Sequence, residues 1–292
     1  MIDFTLDQEH QDLQELYRKF AEEQIKPLAH EMDEKEELDM NLVREMQECG
    51  FFGIPFDEKY GGAGSDVLSY VLCMEEVSKA DASCGVTISV HTSLCASTIE
   101  EFGTEEQKEQ WLRPLVNGSK IGCFGLTEPG AGSDVSGART TAVKEGDEYV
   151  INGEKIFTTN SGFADTFLVF AVTDKSVPAS KGMSAFLVDR NTPGLTVSPD
   201  IPRMGIRAAS NAAVSYENVR VPASALLGGV EGKGFKIAMK ALDGGRIGIA
   251  AQAVGIAQGA VNETIKYVKE RVQFGKPIAA FQNTQFKLAE MQ

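Results

Sequence analysis

The sequence predicts an α+β multidomain chain: an N-terminal helical bundle, a central antiparallel β-barrel or sheet, and an incomplete C-terminal helical bundle. Three observations predict it. Apolar residues keep a helical period as far as Asn117-Gly118, short runs rich in β-branched and aromatic residues follow, and the helical period returns after Gly228. With 292 residues, 42% of them apolar and 24% charged, the chain is long enough for two or three packed units. The expected division is 1–118, 119–230 and 231–292.

Taken in order, the first helix is expected to open at Thr5, which forms a capping-box pattern with Gln8, and Leu13, Leu16, Tyr17, Phe20 and Leu28 keep its apolar stripe. Three more are expected over 40–49, closed by Gly50, over 66–80 after Ser65, and over 83–102, closed by Gly103. Thr104 opens a short one, with Gln107 at the capping-box position and the lone Trp111 on its apolar side. Strands are predicted over 120–126, 140–144, 148–151, 166–172, 184–188, 195–198 and 213–216, with EGDE, NGE and NTPG as turns. No helical pattern of ten or more residues intervenes, which favours antiparallel pairing over βαβ crossovers. Helices are then expected over 235–242 and 247–268, the second rich in small residues that pack between neighbours. The last run, 283–292, has helical spacing through Phe286 and Leu288 with no stop signal, and is expected to be cut rather than finished.

Composition narrows the function classes. A formal charge of -14 argues against nucleic acid as a partner, because such binders carry basic faces that release counterions. The acidic runs DEKEE (Asp33 to Glu37) and EGDE (Glu145 to Glu148) read as solvated faces. No stretch approaches the roughly 20 apolar residues of a membrane span, and MIDFTLDQEHQD has neither a basic start nor an apolar signal core, so a cytoplasmic protein without a membrane partner is expected. Cys49, Cys73, Cys84, Cys95 and Cys123 form no CxxC pair and read as small buried hydrophobes. His10, His30 and His91 are too scattered for a metal centre.

One stretch, TEPGAGSD (Thr127 to Asp134), concentrates two glycines, a proline, hydroxyls and carboxylates. It fails the dinucleotide pattern GxGxxG, and a second glycine-rich stretch, GGVEGKGF from Gly228, fails the Walker spacing and reads as punctuation between sheet and helix. Glycines that bring backbone N–H groups close to a ligand still permit a site at Thr127 to Ser133; a plain turn is the alternative. Three distant histidines assemble no Ser-His-Asp or Cys-His arrangement.

FGLTEPGAGSD (Phe124 to Asp134), INGEKIFTTN (Ile151 to Asn160), MGIRAASNAAVSYENVRVP (Met204 to Pro222), LDGGRIGIAAQAVGIAQ (Leu242 to Gln258) and RVQFGKPIAAFQ (Arg271 to Gln282) together resemble the acyl-CoA dehydrogenase family. The five motifs are colinear and span essentially the whole chain. The short-chain, butyryl-CoA type is the nearest in kind, through ISVHTSLCAS (Ile88 to Ser97) and LDGGRIGIA.

The resemblance implies FAD as cofactor. Phe124 to Ser133 would line the flavin, with Leu126 and Thr127 at the isoalloxazine edge and Gly132 and Ser133 toward the pyrophosphate, Ser133 also near substrate. Phe157, Thr158 and Thr159 would form a second flavin segment, the aromatic ring covering the ring system and Thr159 beside N5. Arg271, Phe274 and Gln282 would reach the FAD of a neighbouring subunit, which implies a homo-oligomer, a dimer of dimers in the full-length form. Asp243, Gly244, Gly245 and Arg246 would border the acyl thioester and CoA.

The implied reaction is α,β-desaturation of a short-chain acyl-CoA, butyryl-CoA to crotonyl-CoA, with electrons passed to an electron-transferring flavoprotein. Family members carry the general base either as a glutamate in LD-x-E-R or in a loop near the carboxyl end. Here the first position is Gly245 and the second is expected beyond Gln292, so this chain is expected to hold no catalytic residue and to retain little activity. Glu128, the acidic residue of the flavin motif, is expected to fix its loop rather than catalyse. Glutaryl-CoA relatives place an arginine where this chain has Gly85, which disfavours a dicarboxylic substrate. A branched-chain dehydrogenase, an acyl-CoA oxidase and a non-catalytic flavoprotein fragment that binds a partner stay open.

Overall fold

The computed structural model describes residues 4–292. Aspartates start most of the long N-terminal helices. Asp7 caps α1 (Gln8–Phe20) by accepting from the His10 N–H, so the helix begins two residues later than a Thr5–Gln8 box would place it. A π turn over Ala21–Ile25 carries the chain into α2 (Lys26–Lys35). Asp39 caps α3 (Met40–Glu48), Asp66 caps α4 (Val67–Ala80) and Asp81 caps α5 (Ala82–Ser89). A second π turn, Val90–Ala96, joins α5 to α6 (Ser97–Phe102). Thr104 and Gln107 make both bonds of the expected capping box at α7 (Glu105–Gln107), and a third π turn leads into α8 (Arg113–Val116).

The sheet contains β1 (Gly122–Gly125), β2 (Thr141–Glu145), β3 (Glu148–Thr159), β4 (Thr166–Val172), β5 (Met183–Asp189, after the short α9, Ala179–Gly182), β6 (Leu195–Val197) and β7 (Asn211–Pro222). Its order is β1-β4-β2-β3-β7-β6, with β5 on the other edge of β4. The pairs β2–β3, β3–β7, β4–β5 and β6–β7 are antiparallel as expected, but the sheet is mixed, because β1 and β2 pair with β4 in parallel. They do so along one edge: Gly122 to Gly125 face Thr166 to Val169, and Thr141 faces Val172. The connection between these parallel strands needs no crossover helix, since the chain only leaves the edge and returns to it. All seven residues of β4 are buried, the pattern of a strand covered on both faces.

β3 and β7 each run 12 residues, well past the predicted 148–151 and 213–216. The Asn152-Gly153-Glu154 stretch is continuous strand and not a turn: the register shift opposite it places the extra residue in β7, between Tyr216 and Val219 where Asn218 has φ 51°, and at Gly153, with φ 147°, a Cβ would lie 2.5 Å from Thr140 Oγ1.

Gly228, Gly229 and Gly232, all with φ near +70°, turn the chain from the sheet into α10 (Gly234–Glu270). Two helices were expected across 235–268; one of 37 residues runs straight through Gly244-Gly245. Its glycines serve close approach. A Cβ on Gly248 would collide with the Tyr70 hydroxyl, and one on Gly255 or Gly259 with the Glu75 or Lys79 carbonyl of α4. Gln252 fixes the same face by donating to the Ala82 carbonyl at 2.7 Å. The hairpin of β8 (Val272–Gln273) and β9 (Lys276–Pro277) and then α11 (Gln282–Met291) complete the chain. Among the described residues no helix is long and apolar enough to cross a membrane.

Close approach in one place and open space in another make two glycines of α10 behave oppositely. Gly255→Ala, pressed on a backbone carbonyl, should lower stability by about 1–3 kcal/mol. Gly244→Ala, whose Cβ would sit 3.7 Å from the Ser93 carbonyl, should raise it by about 0.5–1 kcal/mol through helix propensity. Thermal denaturation of the two variants beside wild type checks the pair; equal shifts would contradict the packing described.

Candidate functional site

The excursion from the β4 edge is the segment 126–140, which contains TEPGAGSD. Its first residues are held against β3: the Ile156 N–H donates to the Thr127 carbonyl at 2.9 Å. Glu128 and Ala131 exchange two backbone bonds of 3.0 Å, closing a tight turn over Pro129-Gly130. Asp134 accepts from the Ser136 N–H and starts a short 3-10 turn, Val135–Gly137. Gly130, Gly132 and Ser133 lie exposed at the tip.

Beneath this loop lies a buried ion pair. Lys155, 0% exposed, donates to Glu128 Oε1 at 2.8 Å and to the Leu126 carbonyl at 3.0 Å. Glu128 also accepts from the Arg139 N–H at 2.6 Å and the Thr140 N–H at 3.0 Å. Burial pushes the Glu128 carboxyl up, but Lys155 and the donors at Arg139 and Thr140 outweigh it and hold the group below the ordinary glutamate range. Burial lowers the Lys155 ammonium, and Glu128 offsets part of that. Glu128 is therefore committed to the loop, as its place in the motif suggested, with both carboxylate oxygens engaged and the group held ionised by its three donors.

The second segment leaves the strand register just after Lys155. Lys155 pairs with Val214 and Thr158 with Ala212, and between them Phe157 takes φ 57° and turns its ring outward, 58% exposed. Thr158 is buried with a hydroxyl that has no partner among the described residues. The Thr159 hydroxyl oxygen accepts from Asn211 Nδ2 at 3.1 Å, which leaves its proton free to donate elsewhere. Asn160, at φ 70°, ties the end of the segment to the Thr87 and Gly122 carbonyls at 3.0 and 3.3 Å.

The fold thus brings Leu126, Thr127 and Glu128 beside Lys155 to Thr159. Phe124 stays within the core, its ring 5.0 Å from that of Phe170. Asp243 and Arg246 lie exposed on α10 and pair with each other at 2.8 Å; Gly245 faces Leu94, with 2.7 Å to where a Cβ would meet Cδ2. Gly244 borders a cavity of about 230 Å³ with Tyr70, Thr92, Ser93, Lys240 and Ile247. Arg271, Phe274 and Gln282 are exposed on the last hairpin and the start of α11. Among the described residues no hydrogen bond or ion pair joins them to the other two segments.

Sequence reasoning missed Lys155, Asn160 and His91. Lys155 carried a signal, since it shares strand parity with the buried Tyr149 and Ile151 and so points inward. His91 carried none. It lies in the Val90–Ala96 π turn, accepts from the Gly122 N–H at 3.1 Å, and meets Phe52 edge-on at 4.9 Å, so it supports the first residue of β1. Complete burial pushes its imidazole down to about 3.

The family models for the acyl-CoA dehydrogenase N-terminal, middle and C-terminal domains match residues 7–119, 123–219 and 232–292. The chain is 51% identical over 290 residues to the short-chain specific acyl-CoA dehydrogenase of Clostridium acetobutylicum, covering 99% of this chain and 76% of that one. Butyryl-CoA dehydrogenase from Megasphaera elsdenii superposes with a TM-score of 0.96 at 49% identity, again over 99% and 76%. A chain of the structure described as the electron transferring flavoprotein of Acidaminococcus fermentans matches with the same TM-score, identity and coverage.

The His91 environment sets a pH dependence. The folded imidazole stays neutral down to about pH 3, whereas the unfolded chain takes up a proton below about 6.5, so this contribution to stability is complete above 6.5 and is lost progressively as pH falls toward 3. The melting temperature of His91→Gln should therefore fall less steeply between pH 6.5 and 4.5 than that of wild type. Parallel slopes would show that His91 does not titrate as its burial requires.

Proposed function

From the premise that the chain belongs to the acyl-CoA dehydrogenase family, we infer that it is a FAD-dependent oxidoreductase of short-chain acyl-CoA, taking butyryl-CoA to crotonyl-CoA and delivering the electrons to an electron-transferring flavoprotein. The observation that carries this reading is the meeting of the 126–140 loop with the bulged Phe157–Thr159 segment on one exposed face.

The residues present fit FAD. Phe157 offers an outward aromatic face held by a left-handed backbone, Thr158 has an unpartnered buried hydroxyl, and Thr159 has an oriented O–H. When bound, FAD accepts the hydride that leaves the β-carbon as the α-proton is removed.

The chain's own residues bind and orient. Leu126 and Thr127 would hold the isoalloxazine edge and Phe157 would cover the ring and exclude water from it. Thr159, its hydroxyl oxygen held by Asn211, would donate to the flavin near N5. Gly132 and Ser133 lie toward the pyrophosphate, where exposed glycine backbone is open to an anion. Asp243 to Arg246 border the thioester and CoA. Arg271, Phe274 and Gln282, exposed on the last hairpin and α11, would complete the flavin site of a neighbouring subunit, which implies a homo-oligomer, a dimer of dimers in the full-length form. We place it in the cytoplasm and divide the chain at 1–118, 119–230 and 231–292.

None of these residues is a general base, and at the LD-x-E-R position Gly245 stands. The purified 292-residue chain mixed with FAD should therefore bind the flavin weakly, change its visible spectrum on adding butyryl-CoA, and form no crotonyl-CoA. Phe157→Ala should weaken FAD binding about tenfold, the ~1.4 kcal/mol of one stacked ring. Absence of any flavin binding would sink the reading, full turnover would sink the missing base, and hydrogen peroxide formed with butyryl-CoA would move the chain to the oxidases.

A further inference from the structure

We propose that Lys155 and Glu128 are positioning residues that clamp the 126–140 loop into its ligand-binding shape before any ligand arrives, and so preorganise both flavin-contacting segments at once. The proposal rests on the flavin reading above only for the identity of the ligand.

A fully buried lysine needs a reason, since ammonium groups are almost never removed from water unless paired. Stability is a poor one: replacing a buried ion pair by apolar groups is often neutral or favourable. Geometry supplies a better one. The Glu128 carboxylate sits near the start of the loop and takes the Arg139 and Thr140 N–H groups at its end, so one side chain closes the excursion. Lys155 ties that carboxylate and the Leu126 carbonyl to β3. Between these pins, among the described residues, the hydrogen bonds of residues 129–138 run only within the loop: Glu128 with Ala131, Asp134 with Ser136 and Gly137, and Val135 with Ala138. Gly130 and Gly132 have no atom within 4 Å of where a Cβ would stand. Ala131, Val135 and Ala138 turn inward against apolar neighbours, and among the described residues the clamp supplies the hydrogen bonds that tie residues 128–139 to the sheet.

The same lysine governs the second segment. Lys155 is the last residue of β3 in regular pairing before the register shift, and Phe157 turns out two residues later. Fixing the lysine at Glu128 fixes where the bulge starts. With the Ile156 N–H bond to the Thr127 carbonyl, the clamp therefore holds the distance between Thr127 and Phe157, which a planar ring system bound between them requires to be constant.

The test compares wild type, Lys155→Met, and the double variant Glu128→Leu/Lys155→Met, which removes both charges and leaves no buried ion unpaired. Amide hydrogen exchange without ligand is the primary readout. In the double variant, the Arg139, Thr140 and Ile156 amides should exchange at least tenfold faster while β4 and β5 amides keep wild-type protection, and the melting temperature should exceed that of Lys155→Met. FAD titration should show at least tenfold weaker binding by the double variant. Unchanged exchange at Arg139 and Thr140 overturns the clamp. Faster exchange together with undiminished FAD affinity overturns its positioning role. If wild type binds no FAD while the exchange results hold, the flavin reading fails and the clamp stands. If Lys155→Met does not fold, the double variant alone decides.

Discussion

The architecture depends on one edge of one strand. β4 is buried along its whole length, and the edge it offers away from β5 is shared by two strands in succession, β1 facing Thr166 to Val169 and β2 reaching Val172. The distance along that edge from Val169 to Val172 is three residues, roughly 10 Å at strand spacing. The chain covers it with residues 126–140. Almost all of that length must leave the sheet, and it leaves as a compact loop whose ends are near neighbours, the geometry of an Ω-loop. The site is therefore what remains when a sheet edge is filled by two strands and the spare chain between them is expelled.

An expelled loop has the opposite problem from a buried one. Its backbone is free to meet a ligand, but little apolar surface holds it, since Pro129, Gly130, Gly132, Ser133 and Asp134 are all exposed and only the small side chains of Ala131, Val135 and Ala138 turn inward. Polar side chains from below have to do the holding, and polar groups below a sheet cost free energy unless every donor and acceptor is matched. Glu128 with its three donors meets that condition. Thr158, whose hydroxyl is left unmatched, does not, and it lies in the segment where a ligand is expected to supply what is missing.

How much of this was legible in the sequence follows from the range of each interaction. Local rules read well where one interaction decides: the Thr104–Gln107 box, the glycine-rich entry to α10 and the span of β4 all stand where spacing put them. They failed where two local solutions competed or a distant partner intervened. Asp7 caps the first helix in place of the box read from Thr5. Gly244-Gly245 read as a helix break because a glycine such as Gly245, closely packed on Leu94, looks the same in sequence as one chosen for a turn. Asn152-Gly153-Glu154 read as a turn because only the presence of Thr140 across the sheet explains a glycine inside a continuous strand. The parallel β1–β4 pair was invisible, since nothing in either strand names a partner so far along the chain. Of the site, the strings around Thr127 and Phe157 stood out by composition and resemblance, whereas Lys155 had to be seen in place before its charge made sense.

The pairing of β1 with β4 also dictates an order of events during synthesis. Ile121 is 44 residues from the Asp165 carboxylate that receives its N–H, so β1 leaves the ribosome with no strand to join. At about 5–20 residues per second it waits roughly 2–9 s for β4 to appear. During that interval its partners are helical. The Gly122 N–H already has His91, and the Val90–Ala96 turn packs against the strand from a part of the chain made earlier. The N-terminal helices thus act as an internal nursemaid for a naked strand. Order of synthesis makes a helical surface available to β1 before any strand of the sheet that could pair with it.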